Sequence, residues 1–316
     1  MILKHQELQE IVHGAYAYKE IDGYVSFMRF NNKQLNYLEF KKFFHDRARF
    51  SSSVTLEFVT EAEHMKFSYK IFEVGSYDSL DVYINDKPAR IQLLKEFPAE
   101  GEMLFQLGKG SKKVVVYLPI DMVFTIKDFC LDGEYHPIPK RQTKVLWLGD
   151  SITQGYGAMY TSYSYVNRVN RYLQYEIINQ GIGGYYYDYK SLQDLPDFNP
   201  DKIIVALGIN CHKNPDNKTM IKEYYERLVS IYPNISILTI TPLWTGGENM
   251  DIQSLEDMTQ FIKENAEKYP QMKVIDGFLL VPHLQEYFLN DVVHPNTLGM
   301  ITYADNLMNE IKRMGF

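Results

Sequence analysis

Val145-Leu146-Trp147-Leu148-Gly149-Asp150-Ser151-Ile152-Thr153-Gln154-Gly155 is an apolar run that stops at a Gly-Asp-Ser turn. It reads as a short buried strand with a serine placed at its carboxyl end. Ligands bind at that end in open α/β sheets. A serine on a strand-to-helix turn has its hydroxyl exposed and its backbone N–H free to polarise a substrate oxygen.

Outward from this turn, the pattern from about residue 143 alternates strand and helix. Strand-like runs cover 144–148, 176–179, 202–207, 235–240 and 272–275, and helical stretches cover 162–175, 218–231, 252–269 and 296–314. In the last of these, Leu298, Ile301, Ala304, Leu307, Met308 and Ile311 fall on one face at three- and four-residue spacing. Alternating units with short connections predict a three-layer, doubly wound α/β domain over 143–316, its mostly parallel sheet covered by helices on both faces.

Residues up to about 138 read differently. Runs at 23–30, 54–59, 66–71, 80–84 and 113–118 are rich in β-branched and aromatic residues, and several alternate apolar with polar side chains. Asn85-Asp86 and Gly108-Lys109-Gly110-Ser111 are hairpin-like breaks. The expectation for 1–138 is an all-β, jelly-roll-like sandwich. His136-Pro137-Ile138-Pro139-Lys140-Arg141 marks its end as a stiff, exposed connector.

Composition narrows the function classes. With 45% hydrophobic and 23% charged residues, the 316-residue chain has ordinary globular usage and can bury a sizeable core. A net charge of −7 with no basic stripe argues against nucleic acid or an anionic membrane as partner. Two cysteines, Cys130 and Cys211, do not suggest a disulfide framework. No secretory leader is visible at Met1-Ile2-Leu3-Lys4-His5, and no apolar stretch approaches a bilayer span, so a cytoplasmic location is expected. The 25 tyrosines suit sugar-like ligands, but tyrosines fill strands more often.

Four short blocks lie in order after 143, three at the ends of expected strands and one just before the last helix. They are Gly149-Asp150-Ser151, Asn179-Gln180-Gly181-Ile182-Gly183-Gly184, Leu207-Gly208-Ile209-Asn210 and Asp291-Val292-Val293-His294-Pro295-Asn296. The set resembles the SGNH (GDSL-type) hydrolases, which carry Ser, Gly, Asn and His in four blocks with Asp three residues before the His. The resemblance spans the second domain and implies a flavodoxin-like fold. One departure stands out: Asn210 is followed by Cys211 and His212, where members often have aspartate.

The chemistry can be argued from the residues themselves. A serine hydroxyl is a weak nucleophile at neutral pH and needs a base, for which His294 is the candidate. Asp291, three residues earlier, can fold back in one turn to hold the imidazole's other nitrogen. Charge developing on an acyl oxygen calls for preorganised donors. The backbone N–H groups of Ser151 and Gly184 and the side-chain amide of Asn210 are the candidates. Taken singly, Ser151 reads equally well as a helix cap, His294 as a turn residue, Asn210 as a loop stabiliser and Asp150 as a structural support of the turn. Together the four blocks point to catalysis.

Tyr185 and Tyr186 either line a pocket beside the glycine loop or pack against the first domain. Trp244 is a candidate pocket wall. His212 either lines the pocket or is a surface histidine, and Cys211 reads as a packed small residue. His212, His283 and His294 have no metal-ligand spacing, so no metal or other cofactor is expected. Nothing resembles the lid of a long-chain lipase. The pairing of a β-sandwich with such a hydrolase domain resembles bimodular carbohydrate esterases, implying a serine esterase that removes acetyl groups from an oligosaccharide or small glycoside. Two alternatives remain: an idle carbohydrate-binding protein, and an amidase or lipase-like acylhydrolase using the same residues.

Overall fold

The computed structural model describes residues 2–247 and 250–316. Its first strands are β1 (Val12–His13), β2 (Ala17–Ile21), β3 (Tyr24–Met28), β4 (Thr55–Thr60), β5 (His64–Val74), β6 (Ser79–Ile84), β7 (Lys87–Leu93), β8 (Glu100–Gln106), β9 (Lys112–Tyr117), β10 (Met122–Leu131) and β11 (Tyr135–Pro137). They form two antiparallel sheets. One has the order β1-β4-β9-β6-β7, with β11 also paired to β4, and the other runs β2-β3-β10-β5-β8.

β5 shows why these strands bury one face. Met65, Phe67, Tyr69 and Ile71 are buried at period two, while Lys66 points to solvent. Inside, Phe67 stacks on Phe105 and on Phe129, each at 5.9 Å between centroids, and Tyr69 stacks on Phe124 at 5.5 Å. Leu56, Phe58, Val82, Val114 and Val116 meet them from the first sheet.

The region expected to be all-β also contains helices, namely α1 (His5–Glu10), α2 (Asn32–Leu38) and α3 (Lys42–Ala48). Local capping decides α2. The Asn31 side chain accepts from the Gln34 N–H at 2.9 Å, while the Asn31 N–H donates to Gln34 Oε1 at 3.1 Å. The α2–α3 pair fills the gap between β3 and β4 and packs Leu35, Leu38 and Phe44 against Ile182 and Tyr185. The connector differs from expectation too. Pro139 and Lys140 are exposed, but Arg141 turns inward to pair with the buried Glu57.

Beyond the connector come β12 (Lys144–Gly149), β13 (Glu176–Gly181), β14 (Lys202–Ala206), β15 (Ser236–Ile240) and β16 (Met272–Ile275). They form one parallel sheet in the order β13-β12-β14-β15-β16. The helices are α4 (Ser151–Gln154), α5 (Tyr165–Leu173), α6 (Asn217–Ile231), α7 (Ile252–Ala266) and α8 (Thr297–Met314).

Alternation in β12 serves both faces. Val145 and Trp147 join Tyr165, Val166 and Val169 of α5 and Tyr303, Leu307 and Ile311 of α8. Leu146 and Leu148 join Tyr224, Tyr225 and Leu228 of α6 and Met258 and Ile262 of α7. The three-layer α/β architecture read from the sequence is present. In α8 burial starts at Gly299 and Met300, and of the expected stripe Leu298 is exposed and Ile301 half-buried. The strand order reverses direction at β12, so a crevice opens at its carboxyl end. Ser151 stands there.

The cysteines form no disulfide, and among the described residues no helix is long and apolar enough to cross a membrane.

Candidate active site

The turn after β12 is tight because α4 folds back over the strand end. A Cβ on Gly149 would lie 2.1 Å from Thr153 Oγ1, so no larger residue fits. Asp150 caps α4, its Oδ1 accepting from the Ile152 N–H at 3.0 Å. This frees Ser151 from the capping role and leaves its hydroxyl at the surface of the turn, with the residue 8% exposed.

Burial pushes the Asp150 carboxyl up to about 7, although hydrogen bonds from the α4 backbone pull the other way. A raised acid binds more protons folded than unfolded between about pH 4 and 7, so its contribution to stability falls as pH rises through that window. The cost above pH 7 is roughly 4 kcal/mol at most. Asp150→Asn keeps the accepting oxygen and removes the charge. Its melting temperature should therefore gain on wild type at pH 8 and not at pH 4.5. An equal gap at the two pH values in thermal melts would refute this.

The last block sits in a loop held from three sides. Leu289 N–H donates to the His294 carbonyl at 2.8 Å, Thr245 Oγ1 donates to the Val292 carbonyl at 2.6 Å, and Gly246 N–H reaches the same carbonyl at 3.1 Å. Asp291 Oδ1 accepts from the backbone N–H of Val293 (2.9 Å) and of His294 (3.0 Å), and Oδ2 lies 2.6 Å from His294 Nδ1. Partial burial alone would raise Asp291. The bonds from the His294 and Val293 backbone and the His294 ring outweigh it and hold the carboxyl below its usual value. An ionised carboxylate only accepts, so Nδ1 carries the ring proton and Nε2 is left as an acceptor. The Ser151 hydroxyl donates to that Nε2 at 2.8 Å. Tyr156 packs against the imidazole, 4.8 Å between centroids at 74°.

The glycine-rich block lies beside α4. Ile182 N–H donates to the Gly149 carbonyl at 3.1 Å and Gly183 N–H to Gln154 Oε1 at 2.7 Å. Gly184 adopts φ +75°, and its N–H has no acceptor among the described residues. Asn210 is exposed and donates to the Tyr185 carbonyl at 2.9 Å, tying the third block to the second. Its amide retains one N–H.

The pocket candidates divide. Tyr185 is only 5% exposed, meets Phe44 edge-on at 4.9 Å and donates to Asp188, so it packs against α3. Tyr186 is half-buried and stacked on Tyr185. Trp244 is half-buried, stacks on His283 at 4.9 Å and 7°, and backs the Val292 loop across Gly246. His212 is 7% exposed and therefore no surface histidine; its Nδ1 lies 2.7 Å from the Ile209 carbonyl. The Cys211 thiol is buried, which pushes it up to about 11. Among the described residues no group of three or more His, Cys, Asp or Glu could hold a metal ion.

Sequence reasoning missed the residues that hold the glycine loop from the sandwich side. Arg29, fully buried, donates to the carbonyls of Asn179, Gly181, Arg47 and Phe50. Burial lowers its guanidinium to about 9, so it stays charged at neutral pH. Asn179 Nδ2 reaches Ser53 Oγ at 3.0 Å and the Thr153 carbonyl at 2.8 Å. Gln154 joins Gly183 to Asp121, just before β10. The Asn31–Gln34 capping box was the one local signal that structure begins there.

A hydrogen-bonded line of aspartate, histidine and serine stands at the carboxyl edge of a doubly wound parallel sheet, and both a family match and a shared fold support an ester-hydrolysing serine hydrolase. Residues 147–300 match the GDSL-like lipase/acylhydrolase family. No curated protein matches the chain in sequence. Its fold is shared with a salicylyl-acyltransferase from a tetracycline biosynthetic pathway, 18% identical with a TM-score of 0.81, covering 96% of this chain and 94% of that one. A family two carbohydrate esterase from Cellvibrio japonicus is 16% identical with a TM-score of 0.67, over 96% and 94% of the two chains. An acetyl xylan esterase from the rumen bacterium Butyrivibrio proteoclasticus is 17% identical with a TM-score of 0.60, over 83% and 90%.

Proposed function

We propose that the chain is a serine esterase hydrolysing short-chain acyl esters, chiefly O-acetyl groups on a carbohydrate or small glycoside. The observation that carries this reading is the hydrogen-bonded line from Asp291 through His294 to Ser151, at 2.6 and 2.8 Å. Ser151 Oγ attacks the ester carbonyl carbon while His294 Nε2 takes its proton, and Asp291 stabilises the imidazolium. The N–H groups of Ser151 and Gly184 and the remaining N–H of Asn210 receive the oxyanion. As the C–O bond to the alcohol breaks, the imidazolium returns its proton to the leaving oxygen. Water then attacks the acyl-serine with His294 as base, releasing the carboxylic acid and regenerating the Ser151 hydroxyl.

The substrate side rests on shape and on shared fold. A groove of about 460 Å³ runs beside the histidine, lined by Tyr156, Phe288, Leu289, Asn290, Asp291 and Asn296. Two asparagines and an open shape suit a polar alcohol better than a lipid chain. The carbohydrate and acetyl xylan esterases that share the fold support the same class. The chain is read as two domains, 1–138 and 143–316. Strands that cross between the two sheets in succession from β3 to β6 support reading the first as jelly-roll-like.

A panel of acetylated sugars with acetate release measured tests the reading, with 4-nitrophenyl esters of increasing length as its companion. Hydrolysis should fall at least about tenfold from acetyl to octanoyl, as the short acyl group is matched by few apolar contacts. A preference for octanoyl would indicate a lipase-like pocket. Inertness to every ester and to a serine-directed phosphonate would leave the idle binding protein.

A further inference from the structure

We propose that α3 of the sandwich supplies a substrate subsite for an anionic group, built from Phe43 and Arg47, so that the preferred ester carries a carboxylate. The inference rests on Ser151 being the attacking group and names the substrate class of that site.

Phe43 is 42% exposed although it lies against the glycine loop. A Cβ on Gly184 would be 3.2 Å from its ring, and a Cβ on Gly183 would be 2.8 Å from Arg47 Nε. The two side chains therefore cover the outer face of the loop assigned to the oxyanion. The Arg47 guanidinium lies 3.6 Å from the Phe43 ring centroid. Contact with a ring face leaves the guanidinium's in-plane N–H groups available, the fork that binds a carboxylate through two parallel bonds.

Charge is concentrated here. Between residues 41 and 49 stand Lys41, Lys42, Arg47 and Arg49 against the single acid Asp46, in a chain of net charge −7. Asp46 is taken by Lys42 at 2.5 Å. Arg47 and Lys41 have no ion-pair partner among the described residues, and Lys41 Nζ sits 5.6 Å from the Phe43 ring centroid. The acid nearest in effect is Asp121, buried and bonded by Ser76 and Gln154. An exposed aromatic ring flanked by cations without ion-pair partners, beside the glycine loop, is poorly explained as packing. A carboxylate on the substrate satisfies both features.

The carboxylate can belong to either half of the ester, and two matched pairs distinguish them. 4-Acetoxybenzoate against its methyl ester places the charge on the alcohol. Mono-4-nitrophenyl succinate against 4-nitrophenyl butyrate places it on the acyl group. In one pair the anionic-to-neutral ratio of kcat/KM should fall about tenfold on Arg47→Gln and by less on Arg47→Lys, which keeps the charge and loses the fork. The same ratio should fall as sodium chloride is raised.

A ratio moving less than about twofold in both pairs, with Arg47→Gln folded by circular dichroism, overturns the proposal. Should that variant not fold, Lys41→Gln decides, because Lys41 Nζ sits 5.6 Å from the Phe43 ring centroid on an exposed residue; an unchanged ratio and salt dependence overturns the proposal there. Wild type inert to all four esters would instead be a failure of the esterase reading. Equilibrium dialysis of 4-acetoxybenzoate and its methyl ester against Ser151→Ala then still tests the subsite, with equal binding of the two overturning it.

Discussion

Ser151→Ala is expected to lower kcat/KM for 4-nitrophenyl acetate by about 10⁴-fold or more while leaving the fold intact. The size of the loss follows from the residue's position. In the proposed reaction the hydroxyl is the atom that bonds to the acyl carbon, and the variant leaves only the donors of Ser151, Gly184 and Asn210 to polarise the ester. The fold should tolerate the change because Asp150, not Ser151, caps α4, and the Ser151 side chain is bonded to His294 alone. The check is an active-site titration with a serine-directed phosphonate beside a thermal melt. Wild type should be labelled once and the variant not at all, with melting temperatures within a few degrees. Residual activity within tenfold of wild type, on a folded variant, would remove Ser151 from its role.

The second large effect is on stability. Arg29→Met removes a guanidinium that is completely buried and serves four backbone carbonyls, those of Phe50, Arg47, Asn179 and Gly181. Methionine fills much of the same volume but donates nothing, so buried carbonyls lose their partner and the sandwich lets go of the end of β13. Losses of this kind run to about 3–5 kcal/mol. Urea unfolding should show it as a lower midpoint. Because Gly181 leads directly into Gly183 and Gly184, kcat should also fall at temperatures where the variant is fully folded. A midpoint change below about 1 kcal/mol would mean that water or rearrangement replaces the guanidinium. Arg29→Lys tests the geometry, as one ammonium cannot span four carbonyls.

The four blocks were legible because each is local. Gly149-Asp150-Ser151 ends a strand, and Asp291 and His294 are close enough in the chain to meet within one turn. The parallel sheet was legible for the same reason, since each strand carries its own buried run and each helix its own apolar face. Arg29, Phe43 and Arg47 were not legible. They lie more than 100 residues before Ser151, and Arg29 sits just past the end of β3 between the apolar Met28 and Phe30. Tyr185 and His212 show the converse. Their places beside a block could be read from the sequence, but their burial, Tyr185 against Phe44 of α3 and His212 against the Ile209 carbonyl, could not.

From the sequence alone came the α/β layer, the antiparallel character of most of the first 138 residues, and the serine, histidine and aspartate with their order. Period-two and period-3.6 patterns and turn chemistry are short-range, so they survive without knowledge of what packs where. The tertiary structure alone decided that α2 and α3 lie against the glycine loop, that a buried arginine from the sandwich holds the end of β13, and that Phe43 and Arg47 meet Gly184 and Gly183. Those facts depend on contacts between segments remote in the chain, which burial and hydrogen-bond satisfaction select only once both layers are assembled.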